Sequence, residues 1–288
     1  MTLDHATNNE RIANYFDQNY TFQRLMWTNG QSLALHFGYW ENDTRNDYEA
    51  QVNTNRQLAM RAGLKPGQQV LDAGCGIGGS SVWMAENYQV NVLGITVSAD
   101  QVRHATENAA KRGVSHLAKF SQQDYTHVDA ADASFDVVFA LESASCALSK
   151  REFFAEAYRL LKPGGMFVLS DGFRRKRPFP EADEALLKSF LWNWAIPDLV
   201  TPEEFTSPMQ EVGFENVSFE DVSERAEPSM RRLYEIARWS IPPARVLGAL
   251  GLMKPIMVQC AVASYDQYIA YKRGLCGYCF LSAKKPAA

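Results

Sequence analysis

The fold of this 288-residue chain is decided by residues 70–79, which read Val70-Leu71-Asp72-Ala73-Gly74-Cys75-Gly76-Ile77-Gly78-Gly79. Val70 and Leu71 suit a buried strand, and the glycines that follow let the backbone turn sharply and approach a ligand closely. The stretch therefore predicts a strand, a tight turn with a binding site, and the start of a helix.

Strand and helix patterns alternate on the C-terminal side of this turn, which predicts an α/β fold with a doubly wound, Rossmann-like parallel sheet. The predicted strands span residues 69–72, 90–95, 116–121, 135–140, 166–170, 214–219 and 275–283. Residues 8–62 read as helical, so we expect an N-terminal helical flap over 1–62 and a core over 63–288. Two helical insertions are expected within that core, at about 173–200 and 224–273.

Bulk properties exclude several classes of function. The net charge of −4 argues against a nucleic-acid partner, which normally requires a basic face. No apolar run is long enough for a membrane span. The first ten residues are polar and lack signal-peptide features, so we expect a cytoplasmic protein with reduced thiols. Cys276 and Cys279 lie three apart in a predicted strand and should face opposite ways, so we expect no metal site.

The charge at the glycine turn bears on the ligand. Asp72 places a carboxylate beside the turn, which suits a cationic ligand such as S-adenosylmethionine better than one carrying phosphates. Gly74, Gly76 and Gly79 also match the G-x-G-x-x-G pattern of dinucleotide sites, but such a site needs an acid about 20 residues on. The second strand ends Gly94-Ile95-Thr96 without one. A nicotinamide or flavin nucleotide remains the alternative.

Three motifs together resemble class I S-adenosylmethionine-dependent methyltransferases: residues 70–79, Asp124-Tyr125 and 160–165. Residues 94–101 are similar to the second-strand motif of tocopherol, sterol and geranyl diphosphate C-methyltransferases and of cyclopropane fatty acid synthases. The resemblance implies a mostly parallel sheet with an antiparallel last strand, and S-adenosylmethionine as cofactor. It covers residues 65–172 strongly and the flanks more loosely.

The resemblance also implies roles for individual residues in cofactor binding. Thr96 and Gln101 take over ribose contacts that an acid makes elsewhere, and Asp124 accepts a hydrogen bond from the adenine amino group. The expected cofactor-binding residues are Asp72, Gly74, Cys75, Gly76, Thr96, Gln101, Gln123, Asp124, Tyr125 and Leu141. No metal is expected.

Glu142 is the main candidate for catalysis. It is the only carboxylate at the C-terminal end of the fourth strand, where open parallel sheets bind ligands, and it matches the glutamate of the resembled family's motif. Ser145 and Cys146 stand where that family usually has a histidine or an acid. Residues 35–41 resemble the family's helical flap over the methionine end of the cofactor. Within them His36 and Tyr39 could act as a base or shape the methyl-transfer pocket, or could be core residues.

The acceptor is the least determined part of the prediction. In the aromatic segment 186–196, Phe190 and Trp194 share a helix face and Trp192 lies on the other, as pocket wall or as core. The basic run 174–177 would suit an anionic acceptor, or would be solvated.

We expect methyl transfer to a carbon of an apolar, isoprenoid-like small molecule, with Trp192, Trp194 and Tyr39 stabilising a carbocation. Three alternative functions stay open: N- or O-methylation of a small molecule, an oxidoreductase, and a cofactor-binding protein without catalysis. Assembly into a homo-oligomer also stays open.

Overall fold

The computed structural model describes residues 4–27, 32–252 and 255–287. In these ranges seven strands form one sheet: β1 (Gln69–Ala73), β2 (Asn91–Thr96), β3 (Ala118–Gln122), β4 (Phe135–Leu141), β5 (Leu161–Arg174), β6 (Glu215–Asp221) and β7 (Cys276–Lys284). The helices of the described residues are α1 (His5–Trp27), α2 (Asp47–Ala62), α3 (Gly79–Tyr88), α4 (Ala99–Lys111), α5 (Lys150–Leu160), α6 (Glu181–Asn193), α7 (Pro202–Glu211), α8 (Ser223–Ala249) and α9 (Pro255–Lys272).

The strand order across the sheet is β3-β2-β1-β4-β5-β7-β6. The first five strands in that order are parallel to their neighbours, and β7 runs antiparallel to both β5 and β6. The order reverses between β1 and β4, which is where doubly wound sheets bind ligands. The predicted fold class is confirmed, including its antiparallel last strand.

The central strands are buried on both faces, which explains their continuous apolar sequences. In β1, Val70 packs into one core cluster and Leu71 into the cluster on the opposite face; in β4, Val137 and Val138 do the same. The side between β4 and α5 is filled mainly by aromatic rings, with Phe153, Phe154 and Phe167 all fully buried. This core fixes the edge of the sheet from which β1 and β4 present their terminal carboxylates.

The N-terminal region differs from the prediction. Residues 8–62 are not helical throughout, because α1 and α2 are separated by a non-helical segment that includes residues 32–46. The expected helical flap at 35–41 is an extended loop, which we call the cover loop. Gly38 packs so tightly on α2 that a Cβ at this position would lie 2.3 Å from the Ala50 Cβ. Tertiary contact with α2 therefore outweighs the local pattern that read as helix.

Helices lie in both of the predicted insertions. Helices α8 and α9 occupy the predicted insertion at 224–273, and α6 lies within the one at 173–200. Strand β5 begins at Leu161, earlier than predicted. The division into a 1–62 flap and a 63–288 core stays a prediction. Among the described residues we find no helix with the length and apolar character that a membrane span requires.

Candidate functional site

The glycine turn between β1 and α3 has a backbone that only glycine adopts easily. Gly74, Gly76 and Gly78 have positive φ angles of 92°, 53° and 80°. A Cβ on Gly74 would lie 2.3 Å from the Ser143 Cβ, and one on Gly79 would lie 2.6 Å from the Leu33 carbonyl oxygen. The turn is thus compressed between Ser143, just after β4, and Leu33, just before the cover loop, which leaves its backbone facing a cavity.

Asp72 lies at the C-terminal end of β1, one residue before Ala73, and is buried next to this turn. Its carboxylate accepts a hydrogen bond of 2.5 Å from the Ser81 hydroxyl at the start of α3. Burial raises the pKa of Asp72 to about 6, and the Ser81 hydrogen bonds oppose that rise. No lysine or arginine is among the described residues that line the adjoining cavity. A cationic ligand group would therefore supply the counter-charge that this carboxylate lacks.

The first cavity has an empty volume of about 860 Å³, including its opening to solvent. Eight of the ten residues predicted for cofactor binding line it: Asp72, Gly74, Cys75, Gly76, Thr96, Gln101, Tyr125 and Leu141. Thr96 donates its hydroxyl hydrogen to Gln101 Oε1 at 2.5 Å. Ser98 caps α4 by accepting from the Gln101 backbone N–H, and that cap fixes the Thr96–Gln101 pair at the end of β2.

The other two predicted residues, Gln123 and Asp124, do not line the first cavity. The Asp124 carboxylate accepts a 2.6 Å hydrogen bond from Asn9 Nδ2, and the Asn9 side chain on α1 is part of the cavity lining. Gln123 Oε1 accepts from the backbone N–H of Asp129 at 2.7 Å. Because Asn9 stands between Asp124 and the cavity, contact of Asp124 with a ligand stays a prediction.

Glu142 follows the last residue of β4 and has a positive φ of 51°. Its Oε1 accepts two hydrogen bonds, 2.7 Å from the Phe37 backbone N–H and 2.6 Å from the Tyr278 hydroxyl. Burial raises the pKa of Glu142 to about 8, against the lowering effect of these two donors. The cover loop and β7 thus orient this carboxyl group. It lines the first cavity and a second one.

The second cavity has an empty volume of about 830 Å³, including its opening. Its wall is mostly apolar and aromatic, with polar groups at a few positions; besides Glu142 it is lined by Phe16, Gln23, Trp27, Leu35, Phe37, Ser145, Cys146, Asp171, Gly172, Phe190, Trp194, Ile196, Leu199, Met230, Gln267, Cys276, Gly277 and Tyr278. Four of these residues also line the first cavity: Phe16, Leu35, Glu142 and Cys146. The two cavities therefore meet at Glu142.

The other two candidates for catalysis are placed differently from each other. His36 lines the first cavity, and its Nδ1 lies 2.9 Å from the Phe37 carbonyl oxygen. Because a carbonyl only accepts, Nδ1 carries the hydrogen and the partnerless Nε2 is an acceptor. Burial lowers the pKa of His36 to about 4. Tyr39 instead stacks on Phe280 with ring centroids 5.4 Å apart and lines neither cavity.

Two predictions about the acceptor region need correction. Trp192 is 66% exposed, lies under the Arg11 guanidinium and lines neither cavity, whereas Trp194 lines the second. Trp192, near the end of α6, thus faces away from the cavity, and Trp194, the residue that caps the helix, faces it.

The basic run at 174–177 is also not a free cationic patch. Each of its arginines pairs with carboxylates: Arg174 with Glu184 and Asp198, Arg175 with Asp221, and Arg177 with Asp198 and Glu204. Lys176 lies over the Phe179 ring. None of the four lines either cavity. The run therefore gives no support to the first of its two interpretations, an anionic group on the acceptor.

Two residues at the second cavity were missed from the sequence. Asp171 follows the predicted strand 166–170 and obeys the same edge rule that identified Glu142. Tyr278 lies between Cys276 and Cys279, and only the cysteines of that motif were interpreted. The two cysteines do face opposite ways, since Cys276 lines the second cavity and Cys279 packs in the core on the other face. The described residues contain no cluster of three or more side chains suited to a metal.

Comparison with known proteins agrees with this geometry. The chain matches the family model described as mycolic acid cyclopropane synthetase over residues 4–227. It is 31% identical over 258 residues to 27-O-demethylrifamycin SV methyltransferase of Amycolatopsis mediterranei, covering 88% of this chain and 90% of that protein. It is also 31% identical over 227 residues to 2-methyl-6-phytyl-1,4-hydroquinone methyltransferase of Synechocystis sp., covering 74% and 68%.

Solved structures share the fold over almost the whole chain. The [4+2]-cyclase SpnF superposes with a TM-score of 0.81 at 28% identity, covering 97% of each chain. Geranyl diphosphate methyltransferase in complex with S-adenosylmethionine superposes with a TM-score of 0.70 at 18% identity, covering 89% of this chain and 100% of that one.

The chain therefore belongs to the mycolic acid cyclopropane synthetase family of S-adenosylmethionine-dependent methyltransferases. The subgroup resemblance and the cofactor class predicted from the sequence are confirmed, and the dinucleotide alternative is set aside. Whether carbon, oxygen or nitrogen receives the methyl group differs among its relatives.

Proposed function

We propose that this protein transfers a methyl group from S-adenosylmethionine in the first cavity to an apolar small molecule in the second. The observation that carries the proposal is the position of Glu142, a half-buried carboxyl group where the two cavities meet. Such a junction holds donor and acceptor in line and excludes water, and positioning supplies most of the rate for this kind of displacement.

The residues of the first cavity fit the cofactor. The buried Asp72 carboxylate suits the ammonium at the methionine end, and the Thr96–Gln101 pair presents polar atoms for the ribose hydroxyls. The His36 Nε2 acceptor adds an unpartnered polar atom in the same lining. A pyrophosphate, in contrast, would lie beside Asp72 with no basic side chain among the described lining residues.

When bound, S-adenosylmethionine supplies a methyl group on a positively charged sulfur atom. The bond from that methyl to the acceptor forms as its bond to sulfur breaks, which leaves S-adenosylhomocysteine. Glu142 is placed to take the proton that the acceptor loses, because Oε1 is held by Phe37 and Tyr278 and Oε2 accepts no hydrogen bond from a described residue. His36, neutral at physiological pH, stays an acceptor in the wall.

We further propose that the methylated atom is a carbon of an isoprenoid-like acceptor. Support comes from the aromatic wall of the second cavity, formed by Trp27, Phe37, Phe190 and Trp194 among others, which can stabilise a carbocation or pack on a ring. A related methyltransferase is named for a prenylated hydroquinone. O-methylation is the second candidate, since a relative covered over 90% of its length is named for a 27-O-demethyl substrate.

The test is product analysis with a prenylated hydroquinone and S-adenosylmethionine carrying a ¹³C-labelled methyl group. The carbon proposal predicts a labelled methyl on a ring carbon in the NMR spectrum, formed at least about 100-fold more slowly by the Glu142→Gln variant. A label on the phenolic oxygen would contradict C-methylation and favour the second candidate. Unlabelled acceptor throughout a wider panel of alkenes, phenols and amines would contradict methyl transfer itself.

A further inference from the structure

The second cavity contains a second carboxyl group, that of Asp171, which the mechanism above does not use. Strands β4 and β5 are parallel neighbours, and Leu141 pairs with Ser170. Glu142 follows Leu141 at the end of β4 and Asp171 follows Ser170 within β5, so the two residues occupy neighbouring positions near the carboxyl edge of the sheet. Both line the second cavity. Asp171 is only 3% exposed.

The hydrogen bonds of Asp171 leave its carboxylate able to accept more. Oδ2 accepts from the Ser145 backbone N–H at 2.8 Å, and Oδ1 accepts from the Gly172 backbone N–H at 2.7 Å. The Ser145 hydroxyl also hydrogen-bonds this carboxylate and lowers its pKa. A carboxylate can accept four hydrogen bonds in all, so at least one accepting site remains. Lys150 lies close enough to lower the pKa of Asp171, although burial raises it overall. The Lys150 ammonium itself donates to the Ser145 and Ala147 carbonyls.

The rest of the lining carries no positive charge. Among the described residues of the second cavity there is no lysine, arginine or histidine. Besides the two carboxyl groups, its polar side chains include hydroxyls, two separate thiols and the amides of Gln23 and Gln267. An anionic head group would be buried against two carboxyl groups with no basic side chain among the described lining residues to pair with it, which costs several kcal/mol per ion. A hydroxyl or ammonium head would instead donate into the free lone pairs.

We propose that Asp171, together with Glu142, binds a hydrogen-bond-donating head group of the acceptor, a hydroxyl or an amine, and selects against acceptors with a phosphate or diphosphate head. The inference rests on the proposed function, because it assigns the second cavity to the acceptor. It narrows the acceptor to an apolar molecule with a neutral or cationic donor at one end. Asp171 acts here as a specificity-determining residue that contacts the acceptor directly.

The experiment compares three probes that share one isoprenoid tail: geraniol, geranylamine and geranyl diphosphate. Each is titrated calorimetrically into wild-type protein saturated with S-adenosylhomocysteine. We expect geranyl diphosphate to bind at least about tenfold more weakly than geranylamine, the ratio that corresponds to about 1.4 kcal/mol. Asp171→Asn should weaken geranylamine at least tenfold and leave the affinity for S-adenosylhomocysteine unchanged.

Asp136→Asn is the matched control. Asp136 lies at the opposite end of β4 from Glu142 and lines neither cavity. It should leave all three affinities as in wild type. Geranyl diphosphate binding as tightly as geranylamine would overturn the inference, as would an Asp171→Asn variant with wild-type affinity for the amine. If Asp171→Asn fails to fold, the ranking of head groups by the wild-type protein still decides. Failure of the wild type to bind S-adenosylhomocysteine would contradict the proposed function instead.

Discussion

Two carboxyl groups, the buried Asp72 and the half-buried Glu142, would carry the proposed chemistry at the scale of single residues. They lie at the C-terminal ends of neighbouring parallel strands, yet their surroundings differ. Asp72 has one serine hydroxyl as its side-chain donor, while Glu142 is held by a backbone N–H and a tyrosine. Burial raises the pKa of both. The bound cofactor, which is cationic at both its ammonium and its sulfonium, should return both groups toward the ionised form.

Glu142 predicts a pH dependence of methylation. Its pKa is raised to about 8 without ligand, and only the ionised form can take a proton, so the rate should rise with pH. At saturating S-adenosylmethionine the apparent pKa should lie below that value because the sulfonium charge favours the carboxylate. Glu142→Gln should be at least about 100-fold slower, since general bases contribute 10²–10⁴-fold. A pH–rate profile that Glu142→Gln leaves unchanged would contradict this role.

Asp72 predicts a pH dependence of cofactor binding. With a pKa of about 6 in the free protein, the carboxyl group is protonated at lower pH and must lose that proton to pair with an ammonium. Affinity for S-adenosylhomocysteine should therefore fall as pH drops below 6. Asp72→Asn should weaken binding roughly tenfold or more, as for a lost charge-assisted hydrogen bond, and should remove this pH dependence. The measurement is a series of calorimetric titrations between pH 5 and 8 at steps of about one pH unit. An affinity for S-adenosylhomocysteine that Asp72→Asn leaves unchanged would mean that Asp72 does not face the cofactor.

At the scale of elements, the cover loop at 35–41 links the fold to the site. Its Phe37 N–H orients Glu142, while the Phe37 carbonyl accepts from the Thr54 hydroxyl of α2 at 3.0 Å. The Gly38 N–H donates to the Ser229 hydroxyl of α8 at 3.1 Å. The loop is therefore positioned by α2, which follows it in sequence, and by α8, which lies far from it in sequence. Any shift at residues 37–38 moves a donor of the Glu142 carboxyl group.

Gly38→Ala tests this link. The new Cβ would lie 2.3 Å from the Ala50 Cβ and 2.8 Å from the Ala50 carbonyl carbon, so the backbone must move. We expect a loss of about 1–3 kcal/mol in the free energy of unfolding, as for overpacked cores, and a fall in methylation rate of at least about tenfold from misplacement of Glu142.

The matched control for this variant is Gly248→Ala in α8, where the nearest contact of a new Cβ is Val258 Cγ2 at 3.8 Å. Alanine there should be neutral or stabilising, because glycine is a poor helix former. Chemical denaturation and initial rates measure both variants. Equal stability and equal rates for the two would show that the cover loop does not position Glu142.

At the scale of the whole molecule, the sequence was sufficient for the sheet but not for its cover. Runs such as Val70-Leu71 and Val137-Val138 are buried on both faces, so their apolar character alone marks central strands. Asp72, Thr96 and Glu142 could be placed because the ends of parallel strands meet at one edge. Each of these predictions uses residues close together in sequence or one simple rule of topology.

The acceptor cavity could not be predicted in the same way. Its wall combines α1, the cover loop, α6, α8, α9 and β7, and which residues face inward depends on how these distant elements pack. Trp192 and Trp194 show the difficulty, since both are equally aromatic and only Trp194 faces the cavity. Tyr278 reaches Glu142 only because β7 returns antiparallel beside β5.

The central claim, methyl transfer between two cavities that meet at Glu142, is tested most directly by mass spectrometry of reaction products. Wild-type protein with labelled S-adenosylmethionine and apolar acceptors that carry a hydroxyl or amine head should give a product heavier by one labelled methyl group in place of a hydrogen, with one S-adenosylhomocysteine per product. Glu142→Gln, tested beside it, should bind the cofactor and form this product at least about 100-fold more slowly. An acceptor converted to an isomer of unchanged mass, with S-adenosylmethionine bound but not consumed, would contradict the account.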